Sequence, residues 1–171
     1  FVELVKILFK PDNESASNST VDENLKEIAK NIYIPLSKTF LFRDEIHMNA
    51  WLDEVFDKLS NIGKTNSGEI MIGNILSNAP DDPEDGVWPI KYVRDYIENH
   101  ASETMLQQIS YEKSSWSASA VAGEPCQELI DIGEKYGADA SFLEVNYPRI
   151  SDMLKTLEHQ FIDMGKKFGD L

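Results

Sequence analysis

Large apolar residues recur every three or four positions through the C-terminal part of the chain, and no other feature constrains the fold as strongly. They are Ile150, Met153, Leu154, Leu157, Phe161, Met164 and Phe168. This spacing places them all on one face of an α-helix. Pro148 suits the first turn of that helix, where a proline loses no hydrogen bond, and Gly169 suits its end. The C-terminal part is therefore predicted to be one long helix with a single buried face.

Earlier segments show the same spacing and are separated by prolines and glycines. The widest apolar stripe runs from Asp44 to Asn61, with acidic residues at its start and Gly63 after its end. Shorter helices are predicted from Leu25 to Ile32, from Ser67 to before Pro80, from Pro89 through Ile97, from Ser102 to Tyr111, and from Pro125 to Gly137. No run alternates apolar and polar residues for long enough to predict a β-strand. The predicted fold is all-α, an irregular helical bundle of about six to eight helices.

A chain of 171 residues fits one compact domain, so we predict a single helical domain over residues 1–171. Because the first residue is not methionine, this domain is also expected to be part of a longer chain. Two polar stretches are predicted to be loops. Residues 11–20 are rich in Asn, Ser and acidic side chains, and residues 114–123 are mostly Ser, Ala and Gly.

The chain carries 30 acidic and 16 basic residues, a formal net charge of −14. Such a surface repels phosphate backbones and anionic lipid headgroups, which argues against direct nucleic-acid binding and against membrane binding. No apolar segment reaches the ~20 residues that a membrane-spanning helix needs. The single cysteine, Cys126, cannot form an internal disulfide, and we therefore expect a reducing, cytoplasmic location.

The motifs of common cofactor and metal sites are absent from the sequence. Gly63-Lys64-Thr65 has the ending of a phosphate-binding P-loop, but Lys58 stands where that motif needs its first glycine. The histidines lie on separate segments, and neither H-E-x-x-H nor E-x-x-H, the helical zinc and di-iron motifs, occurs. The sequence therefore predicts no catalytic residue, no cofactor and no metal ion.

Cys126 is the best candidate for a reactive side chain. It follows Pro125 at the predicted start of a helix, where the helix dipole favours a thiolate. A cysteine in a helix is more often a buried structural residue, and the sequence favours that interpretation.

Trp88, Pro89, Arg94 and Asp95 form the candidate site, which is either a structural turn or a functional one. Pro89 can open a helix, and Trp88 would then be a large apolar side chain packed at the start of that helix. Because Arg94 follows the acidic run 81–85, an ion pair that locks the turn is the favoured interpretation. The alternative is an anionic ligand held by Arg94 and Trp88 at the helix N-terminus, and the surrounding acidic residues argue against it.

Two short segments carry a resemblance to a known group of proteins. Gly86-Val87-Trp88-Pro89, followed by Val93-Arg94-Asp95, resembles a turn and helix of uncharacterised bacterial all-helical proteins. Tyr147-Pro148-Arg149 is similar to the aromatic-Pro-Arg that opens their long terminal helix. The likeness covers roughly the second half of the chain, and residues 114–124 depart from it because those proteins are richer in Gly and Arg there. The resemblance implies a helical fold and no particular activity.

The leading functional hypothesis is a non-catalytic helical domain that contacts another protein as part of a larger bacterial protein or complex. It is motivated by the lack of a catalytic motif and by the number of apolar helix faces. One alternative is an acidic decoy that mimics nucleic acid, suggested by the net charge of −14. Another is an enzyme of unrecognised type, because side chains that converge from separate helices leave no linear motif.

Overall fold

The computed structural model describes residues 1–3, 24, 27–28, 44–120 and 126–169. Within these residues the elements are six α-helices and no strand, which confirms the all-α fold at the low end of the predicted helix number. The helices are α1 (Glu45–Asn61), α2 (Thr65–Ser77), α3 (Lys91–His100), α4 (Glu103–Ala120), α5 (Cys126–Leu143) and α6 (Pro148–Gly169). The predicted loop at 11–20 lies outside the described residues.

The chain divides into two compact units, Phe1–Asn78 and Ala79–Leu171, whereas the sequence predicted one domain. The boundary falls between the end of α2 and the acidic turn that precedes α3. Each unit is described by itself. No helix of the described residues is both long enough and apolar enough to cross a membrane.

The first unit pairs α1 with α2. Gly63 follows α1 with a φ of 63°, as the sequence predicted. At the other end, the carboxylate of Asp44 caps the helix by accepting a 2.8 Å hydrogen bond from the backbone N–H of His47. The prediction that α2 begins at Ser67 is wrong. The helix begins at Thr65, because the backbone of Lys64 already accepts a helical bond from the N–H of Gly68.

The second unit contains α3 to α6, and α6 contacts each of the other three helices. Its core includes the face of α6 that the spacing predicted, with Ile150, Leu154, Leu157 and Phe161 fully buried. Ser102, where the sequence predicted this helix to begin, caps α4, its hydroxyl accepting a 3.1 Å bond from the N–H of Met105. The last helix therefore forms the centre of this unit.

Close packing of α5 on α6 explains why the prediction that Gly137 ends a helix is wrong. The helix continues to Leu143, and Gly133 and Gly137 instead face α6. A Cβ atom on Gly133 would lie 3.0 Å from the backbone oxygen of Glu158, so the missing side chain lets the two helices approach.

The structure also corrects the predicted loop at 114–123. The helix α4 continues through residues 114–120, and residues 121–123 lie outside the described part. Alanine favours a helix and serine tolerates one, and residues 114–122 contain no proline or glycine that would end it. The hydroxyl of Ser114 donates a 2.9 Å bond to the carbonyl of Tyr111, so it is satisfied within the helix.

Candidate functional site

The candidate site predicted from the sequence is built around a loop, residues 79–90, that leads into α3. Hydrogen bonds between residues of the loop hold it together. The N–H of Asp82 donates to the carbonyl of Val87 at 3.0 Å, and the N–H of Ile90 donates to the carbonyl of Pro80 at 2.8 Å. The Trp88–Pro89 peptide bond is cis. The prediction that Pro89 opens the helix is wrong, because the loop closes through Ile90 and α3 begins at Lys91.

Asp82 holds the loop to the start of α3. Its carboxylate is buried and accepts hydrogen bonds from the backbone N–H groups of Glu84, at 2.8 Å, and Lys91, at 2.7 Å. The bond from Glu84, together with that from Lys91, keeps the pKa of Asp82 below its usual value, although burial opposes the shift. The bond to Lys91 also satisfies one of the free N–H groups at the helix N-terminus.

Arg94 lies on α3, and its side chain reaches into the loop; only 2% of the residue is exposed. Its guanidinium forms a two-pronged ion pair with the carboxylate of Asp85, at 2.7 and 2.8 Å, and donates further bonds to the carbonyls of Val87 and Pro89. The hydrogen bonds from Arg94 lower the pKa of Asp85, against the effect of burial. The predicted ion pair with the acidic run is thus present, with Asp85 as the partner. The guanidinium faces the loop interior, so the geometry does not favour the alternative of a site for an external anion.

Trp88 is buried beneath the loop and in contact with α4. Its indole N–H donates a 2.8 Å bond to the carbonyl of Ala79, and the amine of Lys113 lies 4.1 Å from the ring centroid. Burial lowers the pKa of Lys113 to about 8, while the nearby charge of Asp81 acts in the opposite direction. No sequence pattern indicates Lys113, because its approach to Trp88 depends on how α4 packs.

The two segments that carry the family resemblance contact each other. The hydroxyl of Tyr147 donates a 2.8 Å bond to the carboxylate of Asp95, which also accepts a 2.6 Å bond from the amine of Lys91. The centre of the Arg94 guanidinium lies 6.0 Å from the centroid of the Tyr147 ring. Asp95 therefore joins α3 to the start of α6 and is not the ion-pair partner of Arg94.

Arg149 makes the second connection between these segments. Its guanidinium donates to the carbonyls of Ile97, at 3.1 Å, and Ala101, at 2.6 Å, at the C-terminal end of α3. In return, the carboxylate of Glu98 accepts a 3.2 Å bond from the backbone N–H of Arg149 at the start of α6. Each helix end thus caps the other.

The remaining sequence candidates do not come together with this loop. Cys126 is the first residue of α5, and its side chain lies outside the described part. His47, His100 and His159 lie on α1, α3 and α6. No group of three or more metal-binding side chains occurs among the described residues.

Two depressions lie between α4 and α6 on the surface of the second unit. One depression of about 340 Å³ is lined by the early parts of both helices, including Leu106 and Met153. A second, of about 480 Å³, is lined by later parts that include Ser114 and Met164. The first depression joins the N-terminal parts of α4 and α6, and the second joins their later parts, so the two helices run in the same direction. We call the two depressions together the α4–α6 groove.

Apolar side chains remain partly open to solvent in this groove. Leu106 and Met164 are partly exposed, and Tyr111, one turn of α4 after Gln107 in the groove wall, is 64% exposed. Neither depression is lined by Arg94, Cys126 or a histidine. The groove is therefore separate from the candidate site that the sequence indicated.

The chain matches no protein-family model, no curated protein and no solved structure.

Proposed function

We propose that this chain is a non-catalytic helical domain that binds another protein, and that the second unit receives its partner in the α4–α6 groove. The observation that carries the proposal is the groove itself, in which Leu106 and Met164 stay partly exposed although the neighbouring face of α6 is fully buried. Methionine and tyrosine are enriched in protein interfaces, and Tyr111 stands beside the groove. An open groove between two helices, with exposed apolar side chains in it, is a typical site for a partner helix.

The polar groups of the loop support a structural role for the candidate residues. Asp82, Asp85, Arg94 and Arg149 make bonds within the second unit, to helix ends and to one another. Catalysis needs a group that can reach a substrate, and these groups are directed at the protein. The acidic-decoy alternative gains no support here, because the carboxylates of Asp82 and Asp85 point into the loop and do not form an outward row.

Site-specific crosslinking in the cells that make the protein tests this proposal. A photoreactive benzoylphenylalanine would replace Thr156, which lines the groove, and in a matched control it would replace Ala138, an exposed residue of α5 outside it. We expect one reproducible protein adduct from position 156 and none from position 138. No adduct from position 156, or the same adducts from both positions, would contradict the proposal.

A further inference from the structure

The two ends of the α4–α6 groove differ in charge. Glu103 and Asp152 lie where both helices begin, and the side chain of Glu103 is 81% exposed. Lys167 lies at the opposite end, next to Lys166 in the last turn of α6, and both lysines are exposed. The groove therefore presents negative charge at its first end and positive charge at its second.

Two further charged residues line the groove and do not reverse this polarity. At the first end, Arg149 donates its hydrogen bonds to the backbone carbonyls at the end of α3, and its contact with Glu103 is long, at 3.4 Å. At the second end, Asp163 lines the groove beside Lys167, and Lys166, the preceding residue of α6, adds an exposed positive charge just outside the lining. Each end thus keeps an exposed charge that an incoming group can pair with.

We propose that the partner segment is an amphipathic α-helix that lies antiparallel to α4 and α6. Lysine or arginine in its last turn pairs with Glu103 and Asp152, and aspartate or glutamate in its first turn pairs with Lys167. Its aliphatic face covers Leu106 and Met164. This inference rests on the proposed function, because it names the chemistry of the partner that the groove receives.

The helix dipole gives an independent reason for this orientation. A helix carries partial positive charge at its N-terminus and partial negative charge at its C-terminus, so acidic first turns and basic last turns stabilise it. In the antiparallel orientation, those same turns meet the oppositely charged ends of the groove. A parallel helix would need either an unfavourable charge order of its own or like charges at both ends of the groove.

The length of the groove limits the size of the partner helix. From Arg149 to Lys167, α6 extends for roughly 27 Å at a rise of about 1.5 Å per residue. A helix of about 18 residues, or five turns, therefore reaches both charged ends. A shorter segment would meet one end only and lose the preference for one orientation.

Two synthetic helical peptides of about 18 residues test the inference on the full chain. Both carry the same aliphatic face; one has glutamates first and lysines last, and the other has the reverse order. We expect the first peptide to bind about tenfold more tightly by fluorescence anisotropy, and the difference to shrink in high salt. Thr156→Arg, which places a long charged side chain in the groove, should abolish binding, and Ala138→Arg should not. Replacing both Glu103 and Asp152 with Lys should remove or reverse the preference.

Equal affinity for the two peptides, no binding of either, or binding that survives Thr156→Arg would overturn the inference. So would self-association of the free chain, measured by sedimentation, that Thr156→Arg dissolves, because the occupant would then be a second copy. These results are distinct from failure of the proposed function. If a partner crosslinks at position 156 but the two peptides bind equally well, the proposal of an interaction domain still holds. Only the inference of an antiparallel partner helix is then wrong.

Discussion

The hydroxyl of Tyr147 donates a 2.8 Å hydrogen bond to the carboxylate of Asp95, which precedes it by 52 residues. This bond joins the residue before α6 to the middle of α3, beside the buried Arg94. Burial of the ring and the bond to Asp95 raise the pKa of Tyr147, so the hydroxyl stays protonated and remains a donor at neutral pH. This hydrogen bond connects the segment around Arg94 and Asp95 with the segment that begins α6.

Removal of this hydroxyl should weaken the second unit. We expect Tyr147→Phe to lower the free energy of unfolding by about 1 kcal/mol, the usual contribution of one hydrogen bond to a carboxylate that is partly open to water. Urea unfolding followed by circular dichroism measures the change. Tyr111→Phe is the matched control, because that tyrosine is 64% exposed, and it should have no effect. Equal losses in the two variants would show that the bond to Asp95 contributes nothing specific.

Removal of Arg94 should have a much larger effect. Arg94→Met removes the bonds from Arg94 to the carboxylate of Asp85 and to the carbonyls of Val87 and Pro89, and we expect a loss of about 3–5 kcal/mol. Lys58→Met, which breaks an exposed ion pair with Glu54 on α1, is the control and should cost less than about 0.5 kcal/mol. A small loss for Arg94→Met in thermal or urea unfolding would contradict the buried ion pair.

The ion pair between Arg94 and Asp85 should make the free energy of unfolding depend on pH in the acidic range. Because Arg94 lowers the pKa of Asp85 below 3.8, its ordinary value, the ion pair stabilises the folded state fully above that pH. The stabilisation is lost as the pH falls through the lower, folded-state pKa. Asp85→Asn should therefore be less stable than the natural chain at pH 7, and the difference should narrow below pH 3.8. Unfolding curves at both pH values check this, and a difference independent of pH would refute it.

The two glycines of α5 should respond differently to the same substitution. A Cβ on Gly133 would meet the backbone oxygen of Glu158 at 3.0 Å and Cγ1 of Ile162 at 2.8 Å, so we expect Gly133→Ala to destabilise by about 1–3 kcal/mol. A Cβ on Gly137 would meet only the carboxyl end of the flexible Glu158 side chain. That side chain can move, so Gly137→Ala should be neutral or should stabilise by up to about 1 kcal/mol through helix propensity. Melting temperatures that rank the two variants in the opposite order would show that α5 and α6 are not this close.

Lys113 should titrate in the folded chain near pH 8. Its folded-state pKa is lowered from 10.5, so burial of the charged amine destabilises the fold below about pH 8, and this cost is relieved as the pH rises toward 10.5. Lys113→Met removes the cost together with the contact between the amine and the Trp88 ring. The net change at pH 7 combines both effects, so the measurement is the pH dependence. We expect the stability of the Met variant relative to the natural chain to fall between pH 8 and pH 10, and a flat difference would contradict the shift.

The sequence by itself determined the helices and most of their ends. The capping carboxylate of Asp44, the left-handed Gly63, the hydroxyl of Ser102 and the apolar face of α6 are all signals within one or two helical turns. A local signal acts in the same way whatever the rest of the chain does, so it can be recognised without a structure. The ion pair of Arg94 was predictable for the same reason, since its acidic partner lies in the preceding turn.

The tertiary structure alone decided which distant groups meet. The helix α5 continues through Gly137 because it packs along α6, and the bond between Tyr147 and Asp95 forms because α6 returns to α3. The contact of Lys113 with Trp88 and the α4–α6 groove depend in the same way on helix packing. Apolar spacing shows that a helix has a face to bury, but helix packing permits several partners for each face. The choice among them depends on contacts spread over the whole unit, and no short segment carries that information.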